Sequence, residues 1–404
     1  MNAPVSFSEA ETLTRTRLSP VLWIAGILSA AMLFWLDLLN FKDGIVVGGA
    51  YWGRDFVNVW TGGQLIRASD FATLYDVSAY QDFQQTLFAQ IGPHNYSYPP
   101  VSFPLAALFS LLPYPLALAG WLGGTGALFV HASRRWWPTG AGTPWLVLLT
   151  PAALLNIWAG HYGFLVGALF LLGWQKLDRS PVQAGILFGC MLLKPHLAVL
   201  VPIALLARGE WRAIASGVVT VALLVGGTSL MFGWQCWHQF LFGVSATQSS
   251  MIDAGESFFG LMSTSAATAV LRWTDALPLA ALVQVPVSLA AAAMVFLAAR
   301  RGVPVGRLAL LTATCTFLAL PYAFNYDMVV VMVGALAAML GAERPWQKWA
   351  AAIAFLCPAV AILAALGGVP LIPLALGGLA WTQWRQAVGA GARRSFNRQT
   401  ATFA

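Results

Sequence analysis

The sequence has few charged residues. Asp, Glu, Lys and Arg make up 9% of its 404 residues, whereas a soluble protein carries roughly a quarter. Hydrophobic residues account for 59% of the chain, and apolar runs recur from residue 20 to residue 384 with only short polar breaks. No soluble domain of ordinary size fits between these runs. The sequence therefore predicts an integral membrane protein.

Cysteine is also scarce. Four cysteines are present, without a CxxC pair or any other metal-ligand spacing, so we predict neither a disulfide nor a metal site, and no cofactor. The net charge of +7 comes from Lys and Arg residues scattered in pairs between apolar runs. Because they form no single basic patch, the pattern argues against nucleic acid as a partner and instead marks membrane topology.

The apolar runs predict an all-α polytopic membrane protein, a single domain over residues 1–404 with about twelve transmembrane helices, between eleven and thirteen. The predicted spans are residues 20–40, 98–131 with a break at 112–115, 144–158, 162–175, 181–193, 196–208, 213–232, 279–299, 305–320, 327–341, 349–366 and 369–384. Most of the 22 basic residues fall on one side if both termini are cytoplasmic, and most of the 15 acids fall on or near the other side. The N-terminus lacks a small-residue cleavage site, which indicates a retained span and no signal peptide.

Two long loops result on the non-cytoplasmic side, residues 41–97 and 233–278. The first contains the stretches FVNVWTGGQLIRA and YDVSAYQDFQQTLFAQ, whose apolar residues recur at three- and four-residue intervals. This spacing predicts amphipathic helices along the membrane surface. Such a loop could cover a cavity in the membrane.

The stretch GRDFVNVW, at 53–60, places an acid at the membrane boundary. A carboxylate in a cavity can have its basicity tuned by burial and can accept a proton from an attacking hydroxyl. Asp55 is therefore a candidate general base. The alternative is a surface acid paired with Arg54.

Two further polar stretches carry candidate binding residues. In NYSYPP, at 95–100, the paired prolines bias Tyr98 towards an extended conformation, and its ring either binds a sugar or lies in the membrane interface. In NIWAGHYGF, at 156–164, glycines flank His161 and predict a tight turn. The imidazole there either contacts a hydroxyl or phosphate or is a structural part of the turn.

The stretch LLKPH, at 192–196, places Lys194 between apolar runs, and an ionisable group at membrane depth is a functional candidate by default. A phosphate is the natural partner for such an ammonium, with His196 as a helper. The alternative is a lysine whose amine reaches the interface.

The stretch LPYAFNYDMV, at 320–329, is a polar aromatic island between two apolar runs. Tyr322, Asn325, Tyr326 and Asp327 offer hydroxyl, amide and carboxylate groups beside rings, which is the mixture that proteins use to bind sugars. The alternative is a plain interfacial loop.

In their order along the chain, these motifs resemble glycosyltransferase family 87, the polyprenol-phosphate-mannose-dependent mannosyltransferases with a GT-C membrane fold. The resemblance runs from about residue 20 to residue 345. The matching stretches are DFVNVW at 55–60, LYD at 74–76, YPP at 98–100 with PLA at 104–106, the turn from Asn156 to Gly160, LLKP at 192–195 with RGEWR after it, and PYAFNYD at 321–327. The chain departs from the family where GHYG replaces a common Gly-Gln turn and where the late motif lacks a histidine.

The resemblance implies an inverting transfer of a sugar, with mannose expected, from a polyprenyl-phosphate donor to a lipid or glycan acceptor. The expected location is the outer side of a bacterial cytoplasmic membrane, with membrane lipids around the protein and no obligatory metal. Asp55 matches the loop-one general base, and Lys194 with His196 is expected to bind the donor phosphate. The expected substrate contacts are Arg54, Tyr98, His161, Tyr322, Asn325 and Tyr326. The oligomeric state stays open.

Two other functions compete with this interpretation. A transporter or flippase of a lipid-linked glycan would also use broken spans and polar residues within the membrane. An O-antigen-type ligase would act on a lipid-linked oligosaccharide and usually places its larger loop late in the chain. The sequence shows no convincing internal repeat, and its long loop at 41–97 comes early, so both observations favour the transferase.

Overall fold

The computed structural model describes residues 20–244 and 258–401, and in these ranges the chain is helical, with short turns and no strand. The all-α prediction is thus confirmed. Residues 1–19 and 245–257 lie outside the described residues, and with them the polar N-terminus and the middle of the 233–278 loop. The division into one domain with two long outer loops stays a prediction.

The helices are numbered along the chain. In the first part they are α1 (Pro20–Leu39), α2 (Phe56–Arg67), α3 (Phe71–Tyr75), α4 (Val77–Leu87), α5 (Phe103–Phe109), α6 (Tyr114–Ser133), α7 (Pro151–Ala159), α8 (Gly163–Lys176), α9 (Pro181–Cys190) and α10 (Val201–Arg208). They continue with α11 (Trp211–Phe232), α12 (Gln235–Gln239), α13 (Phe258–Met262), α14 (Ala266–Thr274), α15 (Leu277–Arg300), α16 (Val305–Ala319), α17 (Val329–Leu340), α18 (Pro345–Leu366) and α19 (Leu371–Ala401).

Five helices in the described ranges, α1, α6, α11, α15 and α18, are long and apolar enough to cross a membrane. They have 20 to 24 residues each, and at about 1.5 Å per residue this length matches a hydrocarbon core of about 30 Å. Only 11% of the apolar window of α1 and 6% of that of α11 are buried, so protein leaves most of their apolar surface uncovered, as expected of helices that face lipid. The chain is a membrane protein, and its twelve crossings stay a prediction.

The other apolar helices are shorter, and most of them occur as consecutive pairs divided by a short break. Residues 160–162 separate α7 from α8, short turns around Lys194 separate α9 from α10, and residues 320–328 separate α16 from α17. With 14 and 10 residues, α8 and α9 extend only about 21 and 15 Å, so neither crosses the core alone. Irregular backbone at this depth is tolerated where it is enclosed by protein or lines a cavity.

Local sequence explains where these breaks fall. Gly160 ends α7 in the left-handed conformation, with φ 63° and ψ 30°, which glycine adopts without steric cost. Lys194 precedes a proline and lies outside the helical region, with φ −143° and ψ 75°, because a residue before proline is disfavoured in helical conformation. Both breaks are therefore encoded next to candidate site residues.

The first loop contains α2, α3 and α4, which confirms the two helical segments predicted there. Asp70 and Asp76 accept hydrogen bonds from backbone N–H groups and cap α3 and α4. In contrast to the predicted surface position, α2 is buried on most of its sides and packs against α5. A Cβ atom at Gly63 would lie 2.1 Å from the Ala106 carbonyl oxygen, so this close packing requires glycine.

Candidate functional site

The start of α2 and the three helix breaks meet around His161. The Nε2 atom of His161 lies 3.3 Å from the Tyr98 hydroxyl and 3.8 Å from Oδ2 of Asp55. Its Nδ1 atom lies 3.0 Å from the Lys194 ammonium. The Tyr326 ring packs against the imidazole, with ring centroids 4.8 Å apart. Five candidate residues that are distant in sequence thus form one cluster.

The contacts of His161 indicate which ring nitrogen carries the proton. Nδ1 faces two donors, the backbone N–H of Tyr162 at 2.8 Å and the Lys194 ammonium at 3.0 Å. Nδ1 must therefore accept, and a neutral imidazole carries its proton on Nε2. The Nε2–H group faces the carboxylate of Asp55 and the hydroxyl of Tyr98. His161 thus presents a donor to the candidate base.

Lys194 is paired with an acid. Its Nζ atom lies 2.6 Å from Oδ2 of Asp327, and both side chains are buried. The other carboxylate oxygen of Asp327 has no hydrogen-bond partner in the described residues and lies 3.8 Å from Nδ1 of His161. An ammonium has three donors, so after Asp327 and His161 one N–H of Lys194 is left for a ligand.

Asp55 immediately precedes α2, but its side chain does not cap that helix. Its backbone N–H donates to the Ala159 carbonyl oxygen at 2.9 Å, which fixes the main chain against the end of α7. In the described part of the chain the carboxylate has one polar side-chain contact, the 3.8 Å approach to His161, and it is 22% exposed. Because most of its hydrogen-bond acceptor positions are not used by the described residues, this carboxylate can accept a proton from a hydroxyl.

The surroundings of Asp55 change its proton affinity. Burial raises the pKa of Asp55 above its ordinary value of 3.8, and the nearby Asp327 charge raises this pKa further. The imidazole of His94 and the charges of Lys194 and Arg54 oppose this rise. The net result is a stronger base than an exposed aspartate.

Arg54 does not pair with Asp55. Its guanidinium binds Asp37 of α1, with Nη2 2.5 Å from Oδ1 and Nε 3.2 Å from Oδ2. It also lies over the Trp158 ring, 3.8 Å from the centroid. The alternative interpretation, a surface pair between Arg54 and Asp55, is therefore not what the structure contains. Asp37 was missed, although an acid inside an apolar run is a functional signal.

The three remaining candidates lie outside the direct contacts of His161. The side-chain amide of Asn325 donates to the Pro358 carbonyl oxygen of α18 at 3.0 Å, so it is directed into the helix packing. Tyr322 is half-buried and packs edge-on against Phe324. His196 is half-buried in the turn that follows Lys194.

The described residues contain no group of three or more His, Cys, Asp or Glu side chains placed to hold a metal ion. The polar groups gathered around His161 are a carboxylate, an imidazole, an ammonium and tyrosine hydroxyls. Together with the broken apolar helices, these groups define a polytopic α-helical membrane protein with a cluster of ionisable side chains enclosed in its helix bundle.

The profile of glycosyltransferase family 87 matches residues 96–321. The match covers more than half of the chain, so the chain belongs to this family and is a membrane glycosyltransferase. The resemblance drawn from the sequence is thus confirmed. The matched range includes Tyr98, His161 and Lys194, whereas Asp55 and Asp327 lie outside it. No curated protein and no solved structure shows significant similarity to the chain.

Proposed function

We propose that this glycosyltransferase moves a sugar, with mannose as the expected one, from a polyprenyl-phosphate donor to a hydroxyl of a lipid or glycan acceptor. Asp55 takes the proton of the acceptor hydroxyl. The acceptor oxygen then forms a bond to the anomeric carbon while the bond from that carbon to the phosphate oxygen breaks. The polyprenyl phosphate leaves with the electron pair, and attack from the opposite face inverts the anomeric centre.

One observation supports this role of Asp55 more than any other. An aspartate at the start of a helix ordinarily accepts a hydrogen bond from the first turn, yet the Asp55 side chain makes no such bond. The turn keeps the carboxylate available, partly exposed, and next to the Nε2–H group of His161. A hydrogen bond from His161 would hold the carboxylate ionised and oriented until the acceptor arrives.

Lys194 is the proposed partner of the departing phosphate. Its remaining N–H and its positive charge lie in a buried environment, where charge stabilisation of a leaving group is strongest. His196, in the next turn, is the proposed second contact to the phosphate. Substitution of Lys194 by Met together with Asp327 by Asn removes the cation without leaving a buried unpaired acid. We expect this double variant to raise the donor KM about tenfold or more, and an unchanged donor KM would contradict the phosphate role.

Tyr98, His161 and Tyr326 are the proposed sugar contacts, because a hydroxyl, an N–H group and an aromatic face lie beside the base. Tyr322, in the same segment as Tyr326, completes the proposed set. Asn325 belongs to it only through its Oδ1 atom, which has no hydrogen-bond partner in the described residues, because its amide N–H is donated to Pro358. Aromatic rings beside polar groups are a common way to bind sugars in an enclosed site.

The distribution of basic residues supports an extracytoplasmic site. His161 lies in the connection between α7 and α8, and Lys194 lies in the connection between α9 and α10. The connections at the opposite ends of these four helices are basic. Since cytoplasmic connections carry the excess of Lys and Arg, the site faces the other side of the membrane. The basic residues in those connections are Arg134 and Arg135, Lys176 and Arg179, and Arg208 and Arg212.

The deciding experiment incubates the purified protein with polyprenyl-phosphate-mannose and a membrane lipid extract. Glycolipid formation should fall by roughly 10²-fold or more in Asp55→Asn, with the unfolding temperature in detergent unchanged. The matched control is Asp82→Asn, which changes an exposed acid of α4 in the same loop and should remain active. Full activity of Asp55→Asn would rule out the proposed base.

A further inference from the structure

The turn that carries Asp55 has an unfavourable backbone conformation. Arg54 has φ 46° and follows Gly53, which has φ 83°. The left-handed region is readily adopted by glycine but costs other residues about 1–2 kcal/mol. Such a conformation persists only where surrounding contacts hold it. The residue immediately before the proposed base is therefore kept in place by something beyond the local chain.

The contacts of the Arg54 side chain supply this support. Its guanidinium forms two hydrogen bonds with the Asp37 carboxylate and lies on the face of Trp158. Trp158 in turn donates its indole N–H to Oδ2 of Asp37 at 2.8 Å. Each of the three side chains thus contacts the other two. The Arg54 and Asp37 side chains are only 11% and 16% exposed, so water screens their attraction less than at a surface.

The main chain after Trp158 holds the same turn. The Ala159 carbonyl oxygen accepts the Asp55 N–H at 2.9 Å. At Gly160 the two segments are in close contact, because a Cβ atom there would lie 2.3 Å from the Gly53 carbonyl oxygen. The next residue is His161, which faces the Asp55 carboxylate. Residues 158–161 therefore contact residues 53–55 along their whole length.

We propose that Asp37, Arg54 and Trp158 form a positioning clamp, which fixes the turn at Asp55 and does not contact substrate. The proposal rests on the proposed function, since it assigns the clamp a task through the base. It gives Arg54 a positioning role in place of the substrate contact expected from the sequence. Because a displacement of about 1 Å from reactive geometry can cost about 10² in rate, loss of the clamp should lower kcat and leave substrate binding intact.

The test uses Asp37→Asn and Trp158→Phe in the full-length protein, with varied polyprenyl-phosphate-mannose and a fixed amount of lipid extract. Trp158→Phe keeps an aromatic ring under Arg54 and removes the indole N–H, so it is the milder change. Each variant should lose roughly tenfold to a hundredfold in kcat, with the donor KM close to that of the wild type. The unfolding temperature should fall in Asp37→Asn, which leaves the Arg54 charge without its carboxylate, and should fall less in Trp158→Phe. Asp37→Glu, which retains a carboxylate, should recover part of the loss.

The double variant Asp37→Asn with Trp158→Phe tests whether the two residues act together as a clamp or independently of each other. If Asp37 and Trp158 both act through Arg54, the combined variant should lose little more activity than Asp37→Asn alone. The matched control is Arg67→Lys. Arg67 is the last residue of α2, the helix that Asp55 precedes, and it donates to the Ser110 carbonyl oxygen, away from the turn at Asp55. Its kcat should equal that of the wild type.

Three outcomes would overturn the clamp. Wild-type kcat in both single variants would do so, as would losses that multiply fully in the double variant. A raised donor KM with unchanged kcat in Asp37→Asn would instead mark Arg54 as a substrate contact. In each case an inactive Asp55→Asn leaves the proposed function standing, whereas an active Asp55→Asn contradicts that function itself.

Discussion

Lys194 and Asp327 form a buried ion pair, with Nζ 2.6 Å from Oδ2, across a separation of 133 residues in the sequence. The pair joins the break between α9 and α10 to the break between α16 and α17. Both residues also lie next to Nδ1 of His161. The two parts of the helix bundle are thus connected at the site by charge as well as by apolar packing.

This pair gives a prediction for stability. Lys194→Met strands the fully buried Asp327 carboxylate, and breaking such a pair costs about 3–5 kcal/mol. The double variant Lys194→Met with Asp327→Asn leaves no buried charge at these two positions and should recover most of this loss. Unfolding in detergent measures both. Equal destabilisation of the single and the double variant would show that the pairing is not the source of the cost.

His161 should act on Asp55 through its Nε2–H group. His161→Leu removes this donor and should lower kcat by about tenfold to a hundredfold, which corresponds to about 1.4–2.7 kcal/mol of transition-state stabilisation. His161→Gln places an amide N–H near the position of Nε2 and should retain part of the activity. Comparison of kcat for the two variants is the measurement. Equal activity of the Leu variant and the wild type would contradict the role of the donor.

The activity should depend on pH through Asp55. The base must be ionised, and burial raises the pKa of Asp55 above 3.8, so kcat/KM should fall as the pH is lowered through that raised value. His94→Gln removes an imidazole whose charge lowers the pKa of Asp55. The acid limb of the pH profile should therefore move to higher pH in this variant. A limb that stays in place, or moves to lower pH, would contradict the assignment.

Gly160 should tolerate no side chain. Gly160→Ala places a Cβ atom 2.3 Å from the Gly53 carbonyl oxygen at a residue with φ 63°, and the backbone strain alone costs about 1–2 kcal/mol. We expect a lower unfolding temperature and lower transferase activity. Gly123→Ala is the control, because a Cβ atom added to Gly123 of α6 would meet no heavy atom of the described residues within 4 Å. Helix propensity should make this control neutral or slightly stabilising, by about 0.5–1 kcal/mol.

The positions of the apolar helices could be predicted from the sequence. The predicted spans 20–40 and 279–299 correspond to Pro20–Leu39 and Leu277–Arg300, and the break predicted at 112–115 separates α5 from α6. Apolar runs that end at proline, glycine or charged residues determine these boundaries locally. No contact between distant segments is needed to find them.

The partners of the charged residues could not be predicted in this way. Arg54 is adjacent to Asp55 in sequence, yet the left-handed turn directs its guanidinium to Asp37 of α1. Asp327 was recognised as part of a polar motif, but its pairing with Lys194 depends on how distant helix breaks meet in space. Both pairs are set by tertiary packing, which composition and local spacing do not encode.

If the proposed site is the active site, the incomplete length of α8 and α9 restricts the donor to one leaflet of the membrane. Both helices run from the basic connection at Lys176 and Arg179 to the site, over about 15–21 Å. For the proposed reaction, a donor with its phosphate in the leaflet of that connection is separated from Lys194 by this layer of protein. A sugar lipid made on that side would therefore have to change leaflets before this protein could use it.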